Sequence, residues 1–202
     1  MNRINSVKPL LETKFVGLYE VNYTNKNGNE KTWTVASRKD EETLKSIYLE
    51  DKKDKIDAVI ISAYHRSKNK LVIIKEFRVP INKYILELPA GLVDADDDYF
   101  ENTVRRELKE ETGLDLISIN EEKSHNQVYL SPGMTDESVA FVNCICDGTI
   151  SRDFLEEDED IEAILVSQEE ALNYINSNEA IDVRAYLTLQ SFALLGGRMF
   201  GF

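Results

Sequence analysis

The stretch Gly91 to Leu114, GLVDADDDYFENTVRRELKEETGL, limits the possible folds more than any other part of the chain. Its later half predicts a helix. Asp98 suits the N-cap, with Glu101 three places on as its capping-box partner. Gly113 stands where a left-handed residue ends a helix. At about 100° per residue, Glu107, Glu110 and Glu111 share one side, and Phe100, Val104 and Leu108 form an adjoining apolar stripe that should face a core. Three carboxylates crowded beside a buried face raise one another's pKa unless a cation sits among them. Mg²⁺ suits such a place, because it takes carboxylate oxygens and keeps water and phosphate oxygens as further ligands. The alternative is a solvated acidic face steadied by Arg106–Glu110 pairing.

The same residues carry a resemblance. Arg106, Glu107, Leu108, Glu110, Glu111, Gly113 and Leu114 match the second half of the Nudix box, G-x5-E-x7-R-E-U-x-E-E-x-G-U, with U aliphatic. Two positions depart from it. The glycine, Gly91, lies one residue too far upstream, and Asp98 replaces the first glutamate.

The chain has 202 residues, 42% apolar, with a net charge of −13. That is enough apolar material for a core, and no run of 18 apolar residues predicts a transmembrane helix. The N-terminus lacks the apolar segment of a secretion signal. Cys144 and Cys146 alternate along one predicted strand, which suits buried thiols rather than a disulfide or zinc site. A reducing cytoplasm fits. The acidic balance argues against nucleic acid, which needs a basic footprint. An anionic substrate then calls for a divalent metal to reverse the local field.

Residues 14 to 35 predict an antiparallel hairpin turning at Asn27-Gly28. Residues 38 to 54 are charged, with a short amphipathic piece around Leu44 to Leu49. From Lys55 onward the apolar runs IDAVIISAY, KLVIIKEFRV, YILELP, LDLISI, NQVYL, SVAFVNCICD and IEAILVS predict strands. Ser167 predicts the cap of a helix over 168 to 176, with Glu170 completing a capping box, and 182 to 195 predict the last helix. The expected fold is α/β, a mixed sheet with helices packed on it. The resemblance implies a Nudix-type α/β/α sandwich over 55–202, with 1–54 as a small antiparallel β extension that serves dimerisation.

The segment KEFRVPINKYILELPAGLVD resembles the ADP-ribose pyrophosphatase branch of Nudix hydrolases. That resemblance implies a metal ligand in the carbonyl of Ala90, alongside Glu107 and Glu111. It also implies that Arg78 contacts the substrate, and a guanidinium fork suits a diphosphate. SPGMTDE resembles a substrate-bordering loop of the same branch, so Ser131, Gly133 and Met134 become expected contacts, with Glu137 a secondary catalytic candidate. The acidic run Glu156 to Asp160 reads alone as a solvated loop. By position it resembles the loop that supplies a catalytic base, which falls on Glu157, while Glu159 becomes a further metal ligand. Arg106 and Glu110 complete the implied catalytic set, Arg106 by fixing the carboxylates. Trp33 stands where dimeric members stack an aromatic ring on adenine.

The implied activity is Mg²⁺-dependent hydrolysis of ADP-ribose, or a related nucleoside diphosphate sugar, to AMP and ribose 5-phosphate, with Mn²⁺ as a possible substitute. The implied assembly is a cytoplasmic homodimer. Two other readings stay open: a GDP-mannose-type pyrophosphatase, and a non-catalytic Nudix domain that senses a nucleotide.

Overall fold

A computed structural model describes residues 3–93, 100–157 and 159–201. Asp98 lies outside the described residues. The chain forms two compact units, Met1–Asp57 with Gln127–Val139, and Ala58–Asn126 with Ala140–Phe202.

The first unit opens with β1 (Ile4–Glu12), β2 (Gly17–Thr24) and β3 (Glu30–Ser37), an antiparallel sheet in that order. The expected hairpin is β2–β3. Gly28 takes φ 82 in its turn, a conformation that suits glycine. The strand β1 is an addition to the expected pair. Tyr19, directly opposite Val35, and Val21, directly opposite Trp33, lie on one face. Val7, Tyr19, Val21 and Leu44 make the core beneath that face. Leu44 comes from α1 (Glu41–Glu50), which Asp40 caps by accepting the Thr43 N–H at 2.8 Å. Burial and the nearby Glu12 carboxylate push the Tyr19 phenol up to about 12, and its hydroxyl donates to Glu12 at 2.8 Å.

The second unit is built on an eight-stranded mixed sheet. Its strands are β4 (Ala58–His65), β5 (Lys70–Arg78), β6 (Lys83–Glu87), β7 (Ala90–Leu92), β8 (Asp115–Ile119), β9 (His125–Tyr129), β10 (Ser138–Asp147) and β11 (Ile161–Val166). The main order is β11-β5-β4-β10-β8, with β6 on β5, β7 on β4 and β9 on β10. The chain passes into the first unit within β9 and returns within β10. Val59 to Ile61 and Leu71 to Ile74 are buried without alternation, the pattern of strands covered on both faces. The helices α2 (Phe100–Thr112), α3 (Gln168–Ile175) and α4 (Val183–Leu195) pack on this sheet. The Ser167–Glu170 capping box is formed as expected. Cys144 and Cys146 are buried free thiols.

α2 places the candidate site. Val104 and Leu108 are fully buried, as their spacing predicts. Gly113 takes φ 77 and donates its N–H to the Lys109 carbonyl at 2.9 Å, closing the helix as expected. The short strand β7, which pairs antiparallel with β4, fixes the backbone against which the acidic side of α2 lies.

Candidate functional site

Glu107 and Glu111 turn inward from α2 and are only 7% and 6% exposed. Both rest on β7. The Ala90 N–H donates to Glu111 Oε2 at 3.0 Å. Glu107 occupies the space above Gly91, where an added Cβ would lie 1.8 Å from its carboxyl carbon. A side chain at residue 91 would therefore displace the Glu107 carboxylate from its place on β7. Arg106 reaches Glu107 Oε1 at 2.7 Å and Glu110 Oε2 at 3.0 Å, and donates to the Leu92 carbonyl at 3.2 Å. Ala90, Arg106, Glu107, Glu110 and Glu111 are thus brought together, with Glu110 half-exposed at the rim.

Burial pushes the Glu107 carboxyl up to about 7, against the pull of Arg106 and with the push of Glu110 and Glu159. Burial also raises Glu111 well above the ordinary range, reinforced by Glu107 and opposed by the Ala90 amide. These carboxyls are costly to charge as they stand. Below pH about 4.5 both the folded and unfolded chains hold the Glu107 proton. Between 4.5 and about 7 only the folded chain keeps it. Stability in chelator is therefore expected to fall as pH rises through that window, at up to about 1.4 kcal/mol per pH unit for one proton. Urea unfolding at pH 5, 6, 7 and 8 measures this, and Glu107→Gln should flatten the slope.

Arg78 is engaged by carboxylates. Its Nε and Nη2 each donate to Glu87 at 2.8 Å, and its Nη1 lies 2.8 Å from Glu76. Glu87 also faces Arg184 at 3.9 Å, and Arg184 is held by Asp182 at 2.6 Å. Glu76 and Glu87 lie in the segment that carries the resemblance but are not among its implied site residues. Glu76 stands two residues before Arg78, and the β5–β6 register brings Glu87, nine residues on, to the same guanidinium. Glu159 accepts the Glu156 N–H at 2.9 Å, and its charge raises Glu76, Glu107 and Glu111. Glu157 is exposed on the same loop.

The remaining expected residues belong to the first unit. Trp33, 52% exposed, donates its Nε1–H to the Gly133 carbonyl at 3.2 Å. The Ala36 N–H donates to the Met134 carbonyl at 3.0 Å, and the Met134 N–H donates to the Ser131 carbonyl at 2.9 Å. Trp33, Ser131, Gly133 and Met134 therefore form one group. Glu137 pairs with Arg38 at 3.1 Å.

Among the described residues, no three acidic, histidine or cysteine groups already surround one point as a metal cage. What exists is a buried pair, Glu107 and Glu111, with Glu159 in electrostatic range. That donor set fits a hard dication that completes its shell with water and substrate oxygens. It does not fit a metal requiring a closed protein cage.

A model of the NUDIX domain family matches residues 54–187. The ADP-ribose pyrophosphatase of Saccharomyces cerevisiae is 33% identical over 137 residues, 67% of this chain and 54% of that protein. A GDP-mannose pyrophosphatase of an Enterobacter species is 32% identical over 153 residues, 71% of this chain and 76% of that protein. The chain spans 64% and 54% of the length of two curated relatives, from Caenorhabditis elegans and from yeast. The crystal structure of an ADP compounds hydrolase shares the fold, with TM-score 0.71 and 17% identity over 96% of this chain and 94% of that one.

Proposed function

The chain belongs to the Nudix domain family, and from that premise we propose that it hydrolyses the diphosphate of ADP-ribose, giving AMP and ribose 5-phosphate. The observation that carries this reading is the inward-turned pair Glu107 and Glu111, buried on the backbone of β7. Such a pair is stable in charged form only with a cation between its oxygens. Glu107, Glu111, Glu159 and the Ala90 carbonyl would hold Mg²⁺, with Mn²⁺ as an alternative. Bound there, the ion would neutralise the diphosphate and stabilise its leaving oxygen.

The chain's own residues do the rest. Arg106 spans Glu107 and Glu110 and sets their rotamers. Glu157, on an exposed loop, would orient the attacking water and take its proton. Arg78 would exchange Glu76 for a diphosphate oxygen while Glu87 keeps its fork aligned. Trp33 would stack on the base, with Ser131, Gly133 and Met134 bordering it.

The same proposal includes a homodimer formed through the first unit. Leu10, Leu11, Phe15 and Leu18 are exposed around the β1–β2 turn, a patch of the kind that partners cover. It also includes a cytoplasmic setting and no nucleic-acid partner, in keeping with the charge of −13. No helix among the described residues is long and apolar enough to cross a membrane.

The likeness to a GDP-mannose pyrophosphatase supports a second reading, with that nucleotide sugar as substrate. Turnover of ADP-ribose and GDP-mannose, side by side in Mg²⁺ and in Mn²⁺, separates the two. The expected kcat/KM ratio is about tenfold or more in favour of ADP-ribose. Faster GDP-mannose turnover would favour the second reading. Tight binding of ADP-ribose with no AMP released would point to a sensor.

A further inference from the structure

In the second unit, Glu76, Arg78, Glu87, Arg184 and Asp182 form a chain of alternating charge. Its middle member, Glu87, is only 5% exposed. The Glu87 carboxylate accepts from Arg78 Nε and Nη2 at 2.8 Å each, and Arg184 Nη2 lies 3.9 Å from its Oε2. Arg184 is itself firmly mounted. Its Nε and Nη2 donate to the two Asp182 oxygens at 2.6 and 2.8 Å. Asp182 caps α4, accepting the Arg184 N–H at 2.9 Å, and donates its own N–H to the Leu86 carbonyl at 2.9 Å. The Leu86 N–H donates to the Ala180 carbonyl at 2.9 Å. The start of α4 is thus stitched to the residue before Glu87.

Ion pairs this dry say little about stability, because taking both charges from water offsets their attraction. The order of the chain says more. Arg78 is its most exposed side chain, so an anion arriving from solvent meets Arg78 first and draws on its fork. Glu87 resists that draw only if its carboxylate stays in place, and the last torsion of a glutamate turns in a broad well. Arg184 is the second cation that holds it, on a mount supplied by α4. We propose that Arg184 is a positioning residue, which acts through Glu87 to keep the Arg78 fork at the angle a diphosphate needs and does not itself touch the substrate. The inference rests on the reading that Arg78 meets the diphosphate of a nucleoside diphosphate sugar.

The test measures KM and kcat in Mg²⁺, on whichever of ADP-ribose and GDP-mannose is turned over faster, for the full chain, Arg184→Gln, Arg78→Lys and the double variant. Arg184→Gln is expected to raise KM about fivefold and to leave kcat within about twofold, since Arg78 holds the diphosphate alike before and during reaction. Lysine keeps the charge beside Glu87 and has no fork to orient, so in the Arg78→Lys chain the same change should raise KM by less than about twofold. A merely structural support would act equally in both backgrounds. An equal rise in both, or a fall in kcat with KM unchanged, would overturn the inference. If Arg184→Gln fails to fold, Arg184→Lys takes its place, with a KM rise of about two- to threefold that must likewise vanish in the Arg78→Lys chain. If neither nucleotide sugar is turned over, the hydrolytic reading falls, and the dissociation constant of ADP-ribose by calorimetry replaces KM. The same rise, lost in Arg78→Lys, would then uphold the inference, and absence of binding would sink it.

Discussion

Glu111→Gln is expected to lower kcat/KM for ADP-ribose by about a thousandfold, the scale of removing one strong electrostatic contributor at a reacting centre. Glutamine keeps an oxygen for the Ala90 N–H and nearly the same volume, so the backbone of β7 has no reason to move. What disappears is the negative charge. Burial and the neighbouring Glu107 already make that charge costly, so the metal-free variant should be as stable as the native chain or more so at neutral pH. The sign follows from the raised pKa. A carboxyl that prefers its proton in the folded state weakens the fold as pH rises from its unfolded value to its folded one, and glutamine escapes this cost. Titrating hydrolysis against Mg²⁺ and melting both proteins in chelator separates lost chemistry from lost folding. An unchanged rate would remove Glu111 from the metal site.

The second large effect is expected at Gly91. A methyl group there would fall 1.8 Å from the Glu107 carboxyl carbon, far inside van der Waals contact. The carboxylate must swing aside, toward the half-exposed Arg106 and Glu110. Gly91→Ala should therefore push Glu107 off β7 and lower kcat/KM by about a hundredfold or more. What must move is the carboxylate end of a flexible side chain, so the stability cost should stay at or below about 1 kcal/mol, the low end of overpacking. Gly133→Ala serves as the stability control, because its added methyl meets nothing within 4 Å. Equal melting temperatures for the native, Gly91→Ala and Gly133→Ala chains, with full activity in the Gly91→Ala chain, would show that the close approach has no consequence.

Much of the fold could be read because local signals agreed with tertiary ones. The 3.6-residue spacing of Val104 and Leu108, the left-handed Gly113 and the Ser167–Glu170 box each mark a helix without knowledge of its neighbours. The strand β1 did not announce itself. INSVKPLLE carries Lys8 and Pro9 and alternates poorly, which a strand at a sheet edge tolerates. β7 has three residues and follows a proline, too short for any periodicity.

The site divides the same way. Glu107, Glu110, Glu111 and Arg106 lie within one and a half turns of a helix, so their grouping follows from geometry alone. The neutralisation of Arg78 by Glu76 and Glu87 depends on the β5–β6 register, which places Glu76 opposite Ile85 and Ile74 opposite Glu87. The Lys39 cluster draws on Asp54, Asp57 and Asp136, and Trp33 finds its acceptor in Gly133. Pairings over such separations leave no trace in a linear pattern.

The passage of the chain through β9 and β10 has a consequence for biosynthesis. Residues 1–57 emerge from the ribosome first, yet their compact unit includes Gln127–Val139. Asp136 follows Lys39 by roughly 5 to 20 seconds at ordinary translation speeds. The contacts of β3 and Lys39 with that segment must therefore wait until most of the central sheet has been made. A nascent chain stalled before residue 127 should leave Trp33, Ala36 and Lys39 without Gly133, Met134 and Asp136, which the finished chain supplies.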